Sequence, residues 1–265
     1  SQDKKSVVIN LDSKLTEGTY TVTVKEAEGK PEVKNGTHEF KAENERIVSI
    51  EFLNANEYVA KSDSNVIAFE AKNQYGEVSD LAANRFDLVV GNTRARATGS
   101  AEKQEVTLDV SDSGITKDTR VALTIIAPNG TVSATHTFIV GDPPAAAKIE
   151  VGELKLEEDK TRLTAGDSAV LEITVYDQYG NRMVNVTDIE DTTTLISTRG
   201  DVIPNDGTGL SINSDGNVDI NTVSGISNDV DVTITLLANG SGSSVNFVVP
   251  VHAPKFPTEV AFGDF

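Results

Sequence analysis

Acidic and amide side chains are the residues in this chain whose spacing could bind a metal ion. One group of three acids follows a predicted strand: Asp188, Glu190 and Asp191. A second group places an oxygen-bearing side chain at every other position around Gly216: Asn213, Asp215, Asn217 and Asp219. Calcium takes carboxylate and amide oxygens as ligands. The sequence therefore predicts calcium as a cofactor, with these residues as ligands and Asp142, between two repeats, as a further candidate.

The second group also fits a β-hairpin, and we favour that interpretation. Leu210 and Ile212 before it alternate with polar residues, and so do Val218 and Ile220 after it. Asp215-Gly216 between such segments is a strong signal for a hairpin turn. A complete calcium loop also needs a distal bidentate glutamate, which this segment lacks.

Residues for other kinds of chemistry are scarce. The absence of cysteine excludes disulfides, thiolate zinc sites and cysteine nucleophiles. The three histidines, His38, His136 and His252, do not lie at ligand spacing. No Gly-x-Ser-x-Gly or phosphate-binding glycine motif is present. An aromatic content of 5% argues against a sugar-cleaving cleft. We predict that the protein is not an enzyme.

The charge balance restricts the possible partners. With 23 basic and 41 acidic residues the net charge is −18, which argues against nucleic acid and against an anionic membrane surface. No apolar run is long enough to insert into a bilayer. Residues 146–253 hold 17 acids and six bases, against 13 and nine in residues 46–145. The later segment is therefore the better place for bound cations or a basic partner.

The segments that carry these residues have the sequence pattern of β-strands. Thr, Val and Ile dominate, and alternating apolar and polar residues recur between Gly, Asn, Asp and Pro clusters. The clearest such runs are residues 19–24, 66–72, 106–110, 121–126 and 230–236. Helical periodicity is weak throughout, so we predict an all-β fold.

An internal repeat organises these strands. Gln74-Tyr75-Gly76 recurs as Gln178-Tyr179-Gly180. The strand before each copy keeps its apolar register, and a slip of one residue would turn every apolar side chain to the other face. The register positions are Ile67, Phe69 and Ala71, matched by Leu171, Ile173 and Val175. Later in both repeats a strand runs into Asn-Gly, at Asn129-Gly130 and Asn239-Gly240, which predicts hairpin turns.

The repeat predicts the domain boundaries. We expect residues 1–45 to be the end of a preceding β unit or a strap, and residues 46–145 and 146–253 to be two full domains. Residues 254–265 would start a further unit, so the chain is expected to be a piece of a longer tandem array. Domains of about 105 residues with about seven short strands match immunoglobulin-like sandwiches. Another two-sheet β-sandwich of similar size remains an alternative.

Several of these segments resemble surface-layer (S-layer) proteins of Bacillus-type bacteria. The resemblance lies in residues 15–24 (LTEGTYTVTV), 46–52 (RIVSIEF) and 73–77 (NQYGE). Residues 210–218 (LSINSDGNV) are similar to the hairpin of bacterial immunoglobulin-like repeats of group 2. The resemblance implies secretion to the cell surface, self-assembly into a two-dimensional lattice, and calcium dependence in several members.

The function expected from this resemblance is structural. The chain would be an S-layer segment whose partners are homotypic lattice neighbours, with the cell-wall anchoring modules outside this chain. The alternative is a spacer or binding module of a bacterial surface adhesin or of a secreted polysaccharide-acting enzyme.

Overall fold

The computed structural model describes residues 9, 11, 15–24, 36–53, 56–128 and 130–255. These residues form β-strands joined by turns, with one short α-helix, α1 (Val186–Thr192). No helix among them is long and apolar enough to cross a bilayer. The prediction of tandem immunoglobulin-like sandwiches in an all-β fold is confirmed by the strand pairing. The predicted start of a further unit lies, apart from Pro254 and Lys255, outside the described residues.

The first sandwich is built from eight described strands. They are β3 (Ile47–Phe52), β4 (Tyr58–Val59), β5 (Asn65–Asn73), β6 (Asp87–Val90), β7 (Arg96–Gly99), β8 (Glu105–Asp109), β9 (Arg120–Ile126) and β10 (Ser133–Val140). One sheet has the order β3-β5-β8-β7 and the other β4-β10-β9-β6. Within the second sheet the short β4 runs parallel to β10.

The core of this sandwich lies where the alternating pattern predicts it. Ile67, Phe69 and Ala71 of β5 are buried, as are Val121 and Leu123 of β9, and all five belong to one apolar cluster. Side chains alternate across a strand, so these positions share the inner face of their sheet. The predicted register of β5 is therefore confirmed.

The second sandwich contains eight described strands and the helix. The strands are β11 (Ala146–Leu156), β12 (Leu163–Thr164), β13 (Ser168–Asp177), β14 (Thr193–Ser197), β15 (Leu210–Ile212), β16 (Val218–Asn221), β17 (Val230–Ala238) and β18 (Ser243–His252). The sheet orders are β11-β13-β16-β15 and β12-β18-β17-β14. Each strand holds the place of the strand eight earlier in the first sandwich, so both have the same topology.

The core face predicted for β13 is confirmed. Leu171 and Val175 are buried, and the partly buried Ile173 packs against the apolar clusters of the second sandwich. On the other face, Glu172 forms an ion pair with Lys155 of the neighbouring β11. The matched apolar positions of the repeat thus occupy matched places in the two cores.

The hairpin turn predicted at Asn239-Gly240 is confirmed between β17 and β18, and the positive φ in its loop, of +73°, falls on Gly242. A Cβ at Gly240 would lie 2.7 Å from the carbonyl oxygen of Ala146, so this glycine serves close packing against β11. In the first sandwich Gly130 does have a positive φ, of +68°, while Asn129 lies outside the described residues.

A separate hairpin, β1 (Gly18–Val24) with β2 (Gly36–Ala42), precedes the first sandwich. Tyr20 pairs with Phe40, and two residues further along β1 Val22 pairs with His38. The last hairpin of the first sandwich has the same arrangement around Phe138 and His136. This register is the one expected of the end of a preceding β unit, and the division of the chain at residue 45 stays a prediction.

Candidate functional site

The repeated Gln-Tyr-Gly motif forms a tight turn after a core strand. At residues 177–181, named here the Asp177 turn, the Asp177 carboxylate accepts the backbone N–H groups of Tyr179 and Asn181, both at 2.8 Å. Gly180 has a φ of +81° and donates its N–H to the carbonyl of Asp177 at 3.0 Å. A residue with φ near +80° is strained unless it is glycine, which explains the glycine of the motif.

The same turn occurs twice more. In the Asn73 turn (residues 73–77), the Asn73 side chain accepts the N–H groups of Tyr75 at 3.0 Å and Glu77 at 3.1 Å. In the Asn213 turn (residues 213–217), Asn213 accepts the N–H groups of Asp215 and Asn217 at 3.0 and 3.1 Å. The favoured interpretation of residues 210–220 as a hairpin is therefore confirmed.

The glutamine of each motif holds the segment that leads into its own sandwich. Gln178 donates to the carbonyl of Pro143 and accepts the N–H of Ala145, both at 2.8 Å. Gln74 donates to the carbonyl of Asn44 at 3.0 Å and accepts the N–H of Arg46 at 2.8 Å. Each turn therefore lies at the N-terminal end of its sandwich, next to whatever precedes it in the chain.

At the second sandwich this turn contacts the first sandwich and forms a joint. The ring of Tyr179 stacks on that of Tyr58, with centroids 5.6 Å apart and planes 17° apart. The Tyr179 hydroxyl accepts the backbone N–H of Asp142 at 2.7 Å. A Cβ at position 141 would lie 2.2 Å from the Tyr179 hydroxyl oxygen, so the ring fits only beside Gly141.

Amide side chains complete the joint beneath the two rings. Asn181 is buried; it donates to the carbonyl of Tyr58 at 3.0 Å and accepts from the Asn56 amide at 2.9 Å. Burying an amide is costly unless it is hydrogen-bonded, and here both ends of Asn181 find partners in the first sandwich. The joint therefore requires one mutual orientation of the two sandwiches.

Charged side chains surround the joint. Arg182 forms an ion pair with Glu105 of the first sandwich at 3.3 Å. Asn185 precedes α1 and caps it by accepting the N–H groups of Thr187 and Asp188. Burial, followed by the nearby charges of Asp63 and Asp191, raises the pKa of Asp188 above its usual value. Burial also raises the pKa of Asp177, against the backbone N–H groups that favour its charged form.

The predicted calcium ligands lie in three places. Two of these, α1 and the Asn213 turn, are neighbours, and the third, Asp142, lies apart from them. Asp188, Glu190 and Asp191 lie on α1, and a Cβ at Gly216 of the Asn213 turn would lie 3.3 Å from Ile189 of that helix. Asp142 forms an ion pair with Lys117 at 2.6 Å. In the part of the chain that the structure describes, no three carboxylate or imidazole side chains meet closely enough to hold a metal ion.

Several of the predicted ligands already have hydrogen-bond partners. The Asn217 side chain accepts the backbone N–H of Ile173 at 3.1 Å. The Asp219 carboxylate accepts the Asn213 amide at 2.7 Å. Asp215 is exposed at the tip of the turn.

A polar groove of about 570 Å³ crosses the outer face of the sheet that carries these residues. Its walls include Lys155, Glu172, Asn217, Asp219 and Asn221. Several of these side chains point to one another, as in the ion pair of Lys155 with Glu172. The groove is lined by hydrogen-bonding groups without an aromatic platform.

Sequence reasoning found the tyrosine of the joint only as part of a repeat. Tyr179 was visible in the Gln-Tyr-Gly motif, whereas Asn56, Tyr58 and Asn181 carried no signal of their own. Asn181 has the position in the second repeat that Glu77 has in the first. This difference between the repeats was the sequence feature that could have pointed to Asn181. A residue that contacts another domain needs the fold before its role can be recognised.

No protein-family model matches the chain, and no curated protein matches it significantly. Among solved structures, domains 4–9 of the surface layer protein SbsC are similar with 19% identity and a TM-score of 0.42, over 91% of this chain and 36% of that one. Human protocadherin-24 EC1-2 has 12% identity and a TM-score of 0.25, over 80% of this chain and 100% of that one. The chain spans about a third of the SbsC structure, and at this level of similarity none of these proteins assigns it a function.

Proposed function

We propose that this chain is a structural segment of a bacterial cell-surface layer. Its sandwiches would hold a set spacing and associate laterally with copies of the same protein in a two-dimensional lattice. The observation that carries the proposal is the joint, in which Tyr179 stacks on Tyr58 and Asn181 is buried against the first sandwich. Two sandwiches held in one orientation can transmit a repeat distance, whereas freely hinged ones cannot.

The energetics favour a closed joint. A stacked aromatic pair contributes about 0.5–1.5 kcal/mol beyond its buried area, and each hydrogen bond adds about 1 kcal/mol. The short linker also holds the two surfaces at an effective concentration in the millimolar range. Because the linker already confines the two sandwiches, closure loses less entropy than the association of free domains, and contacts of this size favour the closed joint.

We include a location on the bacterial cell surface in the same proposal. Its support is the sequence resemblance to S-layer segments, together with a cysteine-free and acidic composition. Secretion, homotypic lattice neighbours and anchoring modules elsewhere in the protein follow from that resemblance. They are properties of the complete protein and are tested on it.

The test is negative-stain electron microscopy of the complete protein that contains this chain. We expect ordered sheets to form in the presence of divalent cations. A complete protein that stays monomeric under every cation condition would contradict the lattice.

A second candidate function is a binding or spacer module of a surface adhesin or a polysaccharide-acting enzyme. The polar groove on the outer face of the β11-β13-β16-β15 sheet favours it. The test is retention of the chain on purified cell-wall polysaccharide, compared with an Asn221→Ala variant and with Thr137→Ala, on an exposed face of the first sandwich, as control. Retention that depends on Asn221 would support this candidate, and equal retention of both variants would exclude the groove.

Calcium is proposed as a stabilising ion of the second sandwich. Its support is the excess of acids there and the raised pKa of Asp188 beside Asp63 and Asp191. A cation bound near Asp188 relieves both the burial cost and the repulsion between carboxylates. The chain should melt at a higher temperature in calcium than in chelator or in sodium chloride of matched ionic strength.

A variant separates site binding from general screening. Asp188→Asn should raise the melting temperature in chelator and remove most of the additional gain from calcium, while Asp118→Asn, in the first sandwich, should leave that gain intact. Equal melting temperatures in all three buffers would show that calcium does not stabilise the chain. A calcium effect that persists in both Asp188→Asn and Asp215→Ala would show that these two residues are not the ligands.

A further inference from the structure

The Tyr179 ring and the Asn181 side chain both bind the short segment that leads into β4. Asn181 donates to the carbonyl of Tyr58 at 3.0 Å and accepts from the Asn56 amide at 2.9 Å. The Tyr179 ring stacks on the Tyr58 ring. Much of the joint is therefore made with residues 56–58, at the start of a single strand of the first sandwich.

The strand β4 is short and has one neighbour in its sheet. It lies at the edge of the β4-β10-β9-β6 sheet and pairs with β10 over two residues. The N–H groups of Ile139 and Gly141 donate to the carbonyls on either side of Tyr58, both at 2.8 Å. The N–H of Lys61 donates to the carbonyl of Asp142 at 3.0 Å. Local opening of a native protein begins at segments that are held by few such contacts.

Release of β4 would expose both the core and the backbone of the first sandwich. Val59 and Ala60 are buried, and Val59 belongs to the apolar cluster of this sandwich. The N–H groups of Ile139 and Gly141 would lose their acceptors, and β10 would become an open edge. An open edge strand is a template for pairing with another chain. A contact that keeps β4 in place therefore protects the sandwich from association through β10.

We propose that the second sandwich latches β4 of the first sandwich in its sheet. The joint contacts require Tyr58 to be held beside β10, so they favour the closed strand by the free energy that they contribute. With the joint closed, β4 has to leave its sheet and its joint partners in one opening. With the joint open, the strand opens against its own pairing alone, while the other strands keep the core.

The latch has a direction along the chain. Its contacts come from the turn at the N-terminal end of one sandwich and act on a strand of the sandwich before it. A domain is thus protected by the domain that follows it. This property goes beyond the proposed lattice function, because it concerns local opening within one chain, whether or not copies of the chain associate.

Amide hydrogen exchange followed by nuclear magnetic resonance measures the opening of β4 in the whole chain. The reporters are the N–H groups of Ile139 and Lys61, which exchange when their bonds between the β4 and β10 segments break. Tyr179→Ala removes the stacked ring from the joint. We expect both reporters to exchange about tenfold faster in this variant, the factor given by the loss of a stacked pair and of the hydrogen bonds that open with it.

Asn181→Glu tests the latch without removing the aromatic ring. Glu77 has this position in the Asn73 turn and donates its backbone N–H to the Asn73 side chain, so the substitution is compatible with the turn. A carboxylate cannot donate to the carbonyl of Tyr58 as the Asn181 amide does. We expect the exchange of the two reporters to increase by a similar factor.

Two control amides in the same chain separate the latch from a general loss of stability. The N–H of Gly91 bonds to Ala122 at the far edge of the same sheet, and that of Ala165 bonds to His252 beside the pair of β12 with β18. Both should exchange at their native rates in the two variants, and Tyr75→Ala should leave all four amides unchanged. Reporters that exchange at the native rate in both variants, or controls that accelerate equally with the reporters, would overturn the latch.

Discussion

Asp177 uses a charged side chain where two equivalent turns use asparagine. Asn73 and Asn213 make the same pair of hydrogen bonds to backbone N–H groups with an amide oxygen. Burial raises the pKa of Asp177, which means that the fold opposes its ionised form. The charge at this position is therefore a cost to stability that the turn itself does not require.

Asp177→Asn should consequently keep the fold and stabilise the chain at neutral pH. A carboxyl whose pKa is raised by folding contributes stability below its ordinary pKa and loses it as pH rises through the raised value. The advantage of the variant over the native chain should thus be small near pH 3 and should grow toward pH 7. Urea unfolding at both pH values measures it, and a variant that is less stable at pH 7 would show that the charge itself is needed.

The Tyr179 hydroxyl makes a single hydrogen bond across the joint, to the N–H of Asp142. Tyr179→Phe leaves this N–H, on the exposed Asp142, without its protein partner and should cost at most about 1 kcal/mol of unfolding free energy. The matched control is Tyr75→Phe, since Tyr75 has the same place in its turn and an exposed ring. Denaturant unfolding compares the two, and an equal effect of both changes would contradict the role given to the hydroxyl.

At the scale of elements, the alternating apolar pattern predicts β5 and β13 well. The pattern reports which face of a strand is buried, and Ile67, Leu171 and Val175 lie inside as expected. The hairpin predicted at Asn239-Gly240 is present, but within its loop Gly240 is needed for contact with β11 and Gly242 takes the positive φ. The local sequence predicts that a turn is present, but packing against a neighbouring strand determines which glycine adopts the positive φ.

The sequence predicted less of the candidate site than of the fold. The repeat marked Tyr179, and the acidic groups marked α1 and the Asn213 turn, but no pattern linked Asn56 to Asn181 across 125 residues of chain. Contacts between domains are side-chain contacts without periodicity. They are therefore invisible to reasoning from spacing, even where each domain is predicted correctly.

The linker between the sandwiches has a steric requirement at one position. Gly141→Ala would place a Cβ 2.2 Å from the Tyr179 hydroxyl oxygen, which the ring cannot accept without moving. The ring should leave Tyr58, while the cores of both sandwiches stay intact. Limited proteolysis should then cut the variant at residues 141–145 faster than the native chain, with far-ultraviolet circular dichroism unchanged. Equal cleavage rates would show that the joint tolerates a side chain there.

At the scale of the whole molecule, the joint makes two repeated sandwiches into one body. Each sandwich has its own core and the same sheet order, so either could in principle keep its fold with the joint open. Opening should therefore change the mutual orientation of the sandwiches much more than their stability. Any spacing that the chain sets in a lattice depends on that orientation.

The distance distribution between spin labels at Thr137→Cys and Asp231→Cys measures whether the joint holds the two sandwiches in one orientation. Both positions are exposed on strands, one in each sandwich, and the chain has no other cysteine. Double electron–electron resonance should give one narrow distribution for the native joint, the same distribution with Tyr75→Ala, and a broad one with Tyr179→Ala. A broad distribution in the native joint, or one that Tyr179→Ala leaves narrow, would contradict the account.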